Sequence, residues 1–163
     1  MFEYFFSFVF IVYLIYMAII DYKTCMITNR TVIIGIWIVL SVQFLKLANI
    51  QVVGSAETYQ DALIGCLVAT GVMILISALT SVFTRSHGAI GFGDVKIYLP
   101  IGLYLGVSKS LMAIMLSFIS GGIISVILIL SRLKKADDQI PFGPFIAFNT
   151  IILVLLEGIG LPF

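Results

Sequence analysis

The sequence predicts an all-α, polytopic membrane protein of about six transmembrane helices. Two observations lead there. Of 163 residues, 61% are hydrophobic and only 10% are charged, whereas about 25% of an average soluble domain is charged. The apolar residues also fall into long runs separated by short polar stretches, and about 20 apolar residues are what one helical crossing of a bilayer requires. Net charge is +1. The aromatic residues lie among aliphatic runs and not beside basic clusters. Neither feature suits a nucleic acid partner, and the expected surroundings are the lipid bilayer.

The runs can be taken in order. The first covers residues 4–20 and closes at Asp21-Tyr22-Lys23, from which a polar stretch reaches Asn29-Arg30. It has no basic segment before it and no small-residue cleavage site after it, so it reads as a retained membrane helix and not a signal peptide. The second run covers residues 32–47. Residues 48–61 contain Gly54, Ser55 and Glu57 and read as a loop. The third run, 62–83, is followed by Thr84-Arg85-Ser86-His87. The fourth, 95–107, carries Pro100 and is short for a full crossing. It either starts within the membrane at Gly88 or is a tilted or partial helix. The fifth covers 110–130 and ends in Arg132-Leu133-Lys134-Lys135. The sixth begins near Pro141 and reaches residue 156. Together they predict one integral-membrane domain over residues 1–163.

Positive charge orients the spans. With the N-terminus outside, Lys23, Arg30, Arg85, Arg132, Lys134 and Lys135 fall on the cytoplasmic side, and Lys46 and Lys109 fall outside. Asp21 closes the first span and Asp94 opens the fourth, so both acids come out on the cytoplasmic face. Small residues support close helix packing. Ser117, Gly121 and Ser125 repeat every fourth residue in the fifth span, and Gly65 and Ala69 do so in the third.

The stretch Gly91-Phe92-Gly93-Asp94-Val95-Lys96 carries the chemistry. A carboxylate at membrane depth costs roughly 2.5–3.5 kcal/mol on insertion scales, which makes it a functional candidate by default. Gly91 and Gly93 lack a Cβ and admit close backbone approach beside Asp94. Two facing carboxylates can share a proton. The ionised member acts as general base on a water, while the protonated member polarises a carbonyl and later protonates the leaving amine. Taken singly, Asp21 reads as an interfacial helix-end acid and Asp94 as a helix N-terminal acid favoured by the macrodipole. Their shared face and the glycines before Asp94 weigh against that simpler reading. Lys96, two residues from Asp94, does not face it on a helix; it anchors at the headgroups or contacts substrate. His87 reads as a solvated loop residue. Cys25 and Cys66 are too few and too isolated for a disulfide framework or a zinc site, so no metal or other cofactor is expected. Pro141-Phe142-Gly143-Pro144-Phe145 suits a rigid helix entry, because proline lacks a donor and belongs near a helix start. Its place on the face of the two acids allows a substrate-gating role.

Three features converge on a resemblance: Gly91 to Lys96, the Pro141 to Phe145 segment, and Asp21 with Ile27-Thr28-Asn29 after it. Together they resemble the type IV prepilin peptidases, integral-membrane aspartic proteases of the GxGD type, over nearly the whole chain. The resemblance implies Asp21 and Asp94 as the catalytic pair. Asn29, Gly91, Gly93, Lys96, Pro141, Phe142, Gly143 and Pro144 would bind substrate or shape the site. It implies cleavage of the basic leader of prepilin-like subunits (type IV pilins, pseudopilins or archaellins) at the cytoplasmic face of the cell membrane. Two departures stand out. Many bacterial members add a cytoplasmic part with paired Cys-x-x-Cys motifs and N-methylate the new N-terminus. This sequence has no such region, so peptidase activity without methyltransferase activity is expected. Many relatives also have a proline before the asparagine that follows the first Asp, where this chain has Thr28.

Other readings make different demands. A general intramembrane GxGD protease resembling presenilin would carry a Pro-Ala-Leu element near its last catalytic span, and none is found. A transporter or ion-site protein using Asp21 and Asp94 would show repeats with paired broken helices. A non-catalytic scaffold of a pilus machine would need no acid pair.

Overall fold

In lipid every backbone polar group must be satisfied by the protein, and a helix does this within one segment. The computed structural model describes residues 2–47, 52–83, 91–133 and 140–160. They form five helices: α1 (Phe2–Thr24), α2 (Asn29–Leu47), α3 (Tyr59–Phe83), α4 (Phe92–Leu130) and α5 (Gly143–Gly158). The first four are long and apolar enough to cross a membrane; α5, with 16 residues, is a shorter apolar helix. The protein is an all-α, multi-pass membrane protein.

The fourth and fifth predicted runs form a single element, α4, interrupted at Gly106. There the backbone adopts φ 79° and ψ −171°, a region essentially restricted to glycine. Divided at this point, the helical segments number six among the described residues. Contacts with α5 show that α4 folds back on itself. Near the start of α5, Phe142 packs on Phe118 with ring centroids 5.0 Å apart. Near its end, Glu157 pairs with Lys109 at 2.6 Å. The segment after Gly106 therefore runs antiparallel to α5. The segment before it returns from Asp94, at the Gly143 end, to Gly106, at the Glu157 end.

A broken helix leaves carbonyls and amides without intrahelical partners, and inside a membrane water does not replace them. Three separate elements do so here. Gln43 Nε2 donates to the Leu103 carbonyl at 2.8 Å. The Ala56 amide donates to the Tyr104 carbonyl at 2.6 Å. Beyond the break, the Val107 amide donates to Asp61 Oδ1 at 3.1 Å. The loop that supplies Ala56 dips into the bundle. Val52, Ser55 and Ala56 are buried, and the Val53 carbonyl accepts from the Ser7 hydroxyl at 2.6 Å and the Tyr104 hydroxyl at 3.0 Å. This explains the short fourth run. Its 14 or so helical residues reach only about 21 Å at 1.5 Å per residue, and the buried loop fills the depth that remains.

The small residues act as expected. Gly65 and Ala69 are buried and face α4. A Cβ on Gly65 would stand 2.6 Å from the Gly106 Cα and 2.7 Å from the Gly102 carbonyl oxygen, so the two backbones are in direct contact. Gly121 faces Phe142 and Phe145, and Ser117 is buried.

Helix boundaries differ from the runs by a few residues. Helix α1 continues through Asp21 to Thr24, because backbone hydrogen bonding does not stop at the first acid. It ends at Cys25, which has φ 47° and whose amide donates to the Asp21 carbonyl at 2.8 Å. Helix α2 starts three residues earlier than the apolar run. The Thr28 carbonyl accepts from the Thr31 amide at 3.1 Å and the two threonine hydroxyls meet at 2.9 Å. Thr28 thus leads into the first turn of α2. His87, Arg85, Lys134 and Lys135 lie outside the described residues.

Candidate active site

The end of the bundle opposite Gly106 gathers the C-terminus of α1 and the N-termini of α2, α4 and α5. Asp21 is in the last turn of α1 and only 3% exposed; Asp94 is in the first turn of α4 and 8% exposed. They lie close enough for the charge of Asp21 to act directly on Asp94. Two acids separated by 73 positions thus meet at one end of the molecule.

Each carboxylate is held by backbone. Asp94 occupies the third position of α4 after Gly91, the residue preceding the helix. Its own amide donates to the Gly91 carbonyl at 3.0 Å, and its carboxylate hydrogen-bonds back to the Gly91 backbone. This is the reciprocal geometry of an acid closing a helix start. The simpler reading of Asp94 as a helix N-terminal acid is therefore physically correct, and it also aims the side chain. Asp21 Oδ2 accepts from the Gly143 amide at 2.8 Å, which ties α1 to the start of α5.

The glycines serve close approach. A Cβ on Gly93 would stand 3.1 Å from Ile27 Cβ and 3.3 Å from the Ile27 amide nitrogen. The turn between α1 and α2 therefore rests on the start of α4. Lys96 does not face Asp94. Its Nζ donates to Asn29 Oδ1 at 2.9 Å, linking α4 to α2 on the rim of the site. In the Pro141–Phe145 segment, Gly143 is buried against Asp21, and the Phe142 ring lies between Phe118 and Phe145. Asp21, Asn29, Gly91, Gly93, Asp94, Lys96, Phe142 and Gly143 are thus brought to one end of the bundle, with Pro141 and Pro144 flanking them in sequence.

Sequence reasoning passed over Tyr98. It is fully buried, stands one turn after Asp94, and lies beside Ser117 within reach of the Asp94 charge. The signal was the spacing, since residues four apart share a helix face. A tyrosine in an apolar run reads first as packing, which is why it was missed. Phe118 was missed for the same reason.

Chemically, a pair of buried carboxylates beside helix starts can hold a water and share a proton between them. The profile of the type IV leader peptidase family matches residues 8–126, which include both acids. A prepilin leader peptidase/N-methyltransferase of Bacillus subtilis (strain 168) is 29% identical over 148 residues, 90% of this chain and 54% of that protein. Proteins of the same name from Pseudomonas putida and Pectobacterium carotovorum subsp. carotovorum are 25% and 24% identical over 142 and 152 residues, covering 87% and 91% of this chain and 46% and 50% of theirs. The chain thus spans about half the length of these curated relatives. No solved structure matches it. With the profile extending over well more than half of its residues, the chain belongs to the type IV leader peptidase family.

Proposed function

We propose that this protein is an aspartic endopeptidase of the cell membrane that removes the basic leader from prepilin-like subunits. The observation that carries the reading is the meeting of Asp21 and Asp94, both buried, at one end of the bundle, in a chain of the leader peptidase family. One carboxylate activates a water as general base. The other carries a proton, polarises the scissile carbonyl and then protonates the leaving amine. The acids exchange roles in proton transfer within each turnover, and no covalent intermediate forms.

The substrate class follows from the setting. A prepilin-like subunit is a hydrophobic helix preceded by a basic leader. It enters from the bilayer, and its scissile bond stops at the carboxylate end of the bundle. Lys23 and Arg30 flank that end in sequence, and the excess of basic residues in cytoplasmic loops puts it at the cytoplasmic face. Fixed placement of both carboxylates against the bond makes the hydrolysis effectively intramolecular.

The test uses purified protein and a prepilin-like substrate in detergent or vesicles, with leader release followed by gel shift and mass spectrometry. Wild type cleaves at the leader junction. Asp21→Asn and Asp94→Asn each stay folded and lose cleavage by at least about a thousandfold, as expected for groups that act as a unit. Full cleavage by either variant removes the two-acid mechanism. A wild type that cleaves nothing while conducting ions supports the transporter reading.

A further inference from the structure

We propose that Gly143 is a positioning residue for Asp21: its backbone amide, presented at the start of α5, holds the carboxylate of α1 in the orientation that hydrolysis needs. This deepens the peptidase reading and rests on it.

The contact is long-range and direct. The Gly143 amide donates to Asp21 Oδ2 at 2.8 Å across 122 positions of sequence. The first amides of a helix have no intrahelical partner, so the carboxylate satisfies a donor that α5 would otherwise bury unpaired. Asp21 is thus a candidate reacting group and, at the same time, the cap of another helix. An unrestrained aspartate samples several staggered rotamers; the amide selects one and engages Oδ2.

Only glycine fits at this place. A Cβ on residue 143 would stand 2.6 Å from Asp21 Oδ2 and 2.9 Å from its Cβ and Cγ. Real Cβ atoms do not approach other heavy atoms so closely, so any side chain here displaces Asp21. The amide itself is rigidly held. On its C-terminal side Pro144 sits in the first turn of α5 and presets the helical φ. On its N-terminal side the Phe142 ring packs 5.0 Å from Phe118 and 6.3 Å from Phe145, centroid to centroid, over the buried Gly121. The Pro-Phe-Gly-Pro segment therefore fixes an amide against α4, and the amide fixes Asp21. Asp94 is held separately by its own helix start.

The experiment has two arms. In the first, steady-state cleavage of a prepilin-like substrate is measured for wild type and Gly143→Ala, with folding checked by size-exclusion elution and thermal unfolding. A displaced reacting group lowers kcat by roughly ten- to a hundredfold and leaves KM within about threefold. A purely structural lesion lowers apparent kcat only in proportion to the folded fraction, so kcat per folded protein stays at the wild-type value. In the second arm, hydrogen exchange of the segment around 142–147 is compared in Asp21→Asn and Asp21→Ala. Asn keeps an acceptor oxygen and Ala does not, so exchange at the start of α5 is faster in Asp21→Ala by roughly tenfold. This arm needs no catalysis and stands even if Gly143→Ala fails to fold. Equal exchange in the two Asp21 variants, or wild-type kcat in Gly143→Ala, overturns the positioning role and leaves the peptidase reading intact. A wild-type protein that cleaves no prepilin-like substrate overturns both.

Discussion

Replacing Gly106 with alanine is the most direct test of the folded-back α4. Two costs arise, and both can be sized. The backbone at Gly106 has φ 79° and ψ −171°, and holding a residue with a Cβ in that region costs about 1–3 kcal/mol. The added Cβ would also overlap the Asp61 carboxylate, displacing the acceptor of the Val107 amide. A hydrogen bond to a charged group is worth about 1.5–3 kcal/mol. Together these come to about 2.5–6 kcal/mol, a large share of a typical stability of about 5–15 kcal/mol. For a chain of this length the expected fall in Tm is roughly 5–24 °C. Thermal unfolding in detergent, followed by circular dichroism, reads it directly. A cycle with Asp61→Asn adds a second check. Both changes disturb one hydrogen bond, so their effects should fall short of additivity by roughly 1 kcal/mol. A Gly106→Ala protein that melts within about 2 °C of wild type would refute the account of this break.

Three further outcomes follow from packing and charge. Gly65→Val should destabilise at least as strongly as Gly106→Ala, because its Cβ would meet the Gly106 Cα at 2.6 Å and neither backbone can yield; loss of folded monomer on size exclusion reads it. Gly71→Ala meets no atom within 4 Å and should raise stability by about 0.5–1 kcal/mol through helix propensity alone, seen as a small rise in Tm. Lys109→Met strands Glu157, its partner at 2.6 Å, and should destabilise by about 3 kcal/mol; adding Glu157→Leu should recover most of that loss, and a double variant no better than the single one would count against the pairing.

The fold class was written plainly in composition and run length, because lipid admits few solutions for a long apolar chain. Asp94 stood out as a candidate. A carboxylate after two glycines in an apolar stretch is rare enough to announce itself, and the Pro141–Phe145 segment declared a helix start. Asp21 was found with less force, since a helix-end acid is common at a membrane surface. The division of α4 was legible as the gap between the fourth and fifth runs, but its hinge at Gly106 was not. One glycine among 14 carries no mark of a positive φ, and the apolar pattern merely weakens across it. Gln43, Ala56 and Asp61 were unremarkable for a related reason: each serves a backbone group whose need exists only once that break has formed.

From the sequence alone came the membrane class, the order of the helical runs and the residue types of the candidate site. These are properties of local composition, which partitioning into lipid reads residue by residue. Tertiary structure alone decided that Asp21 reaches the Gly143 amide, that Lys96 turns to Asn29, and that the buried 52–56 loop completes a helix too short to cross. Those are contacts between segments far apart in the chain. Each depends on where a neighbouring backbone lies, to within an ångström, and no local pattern carries that distance.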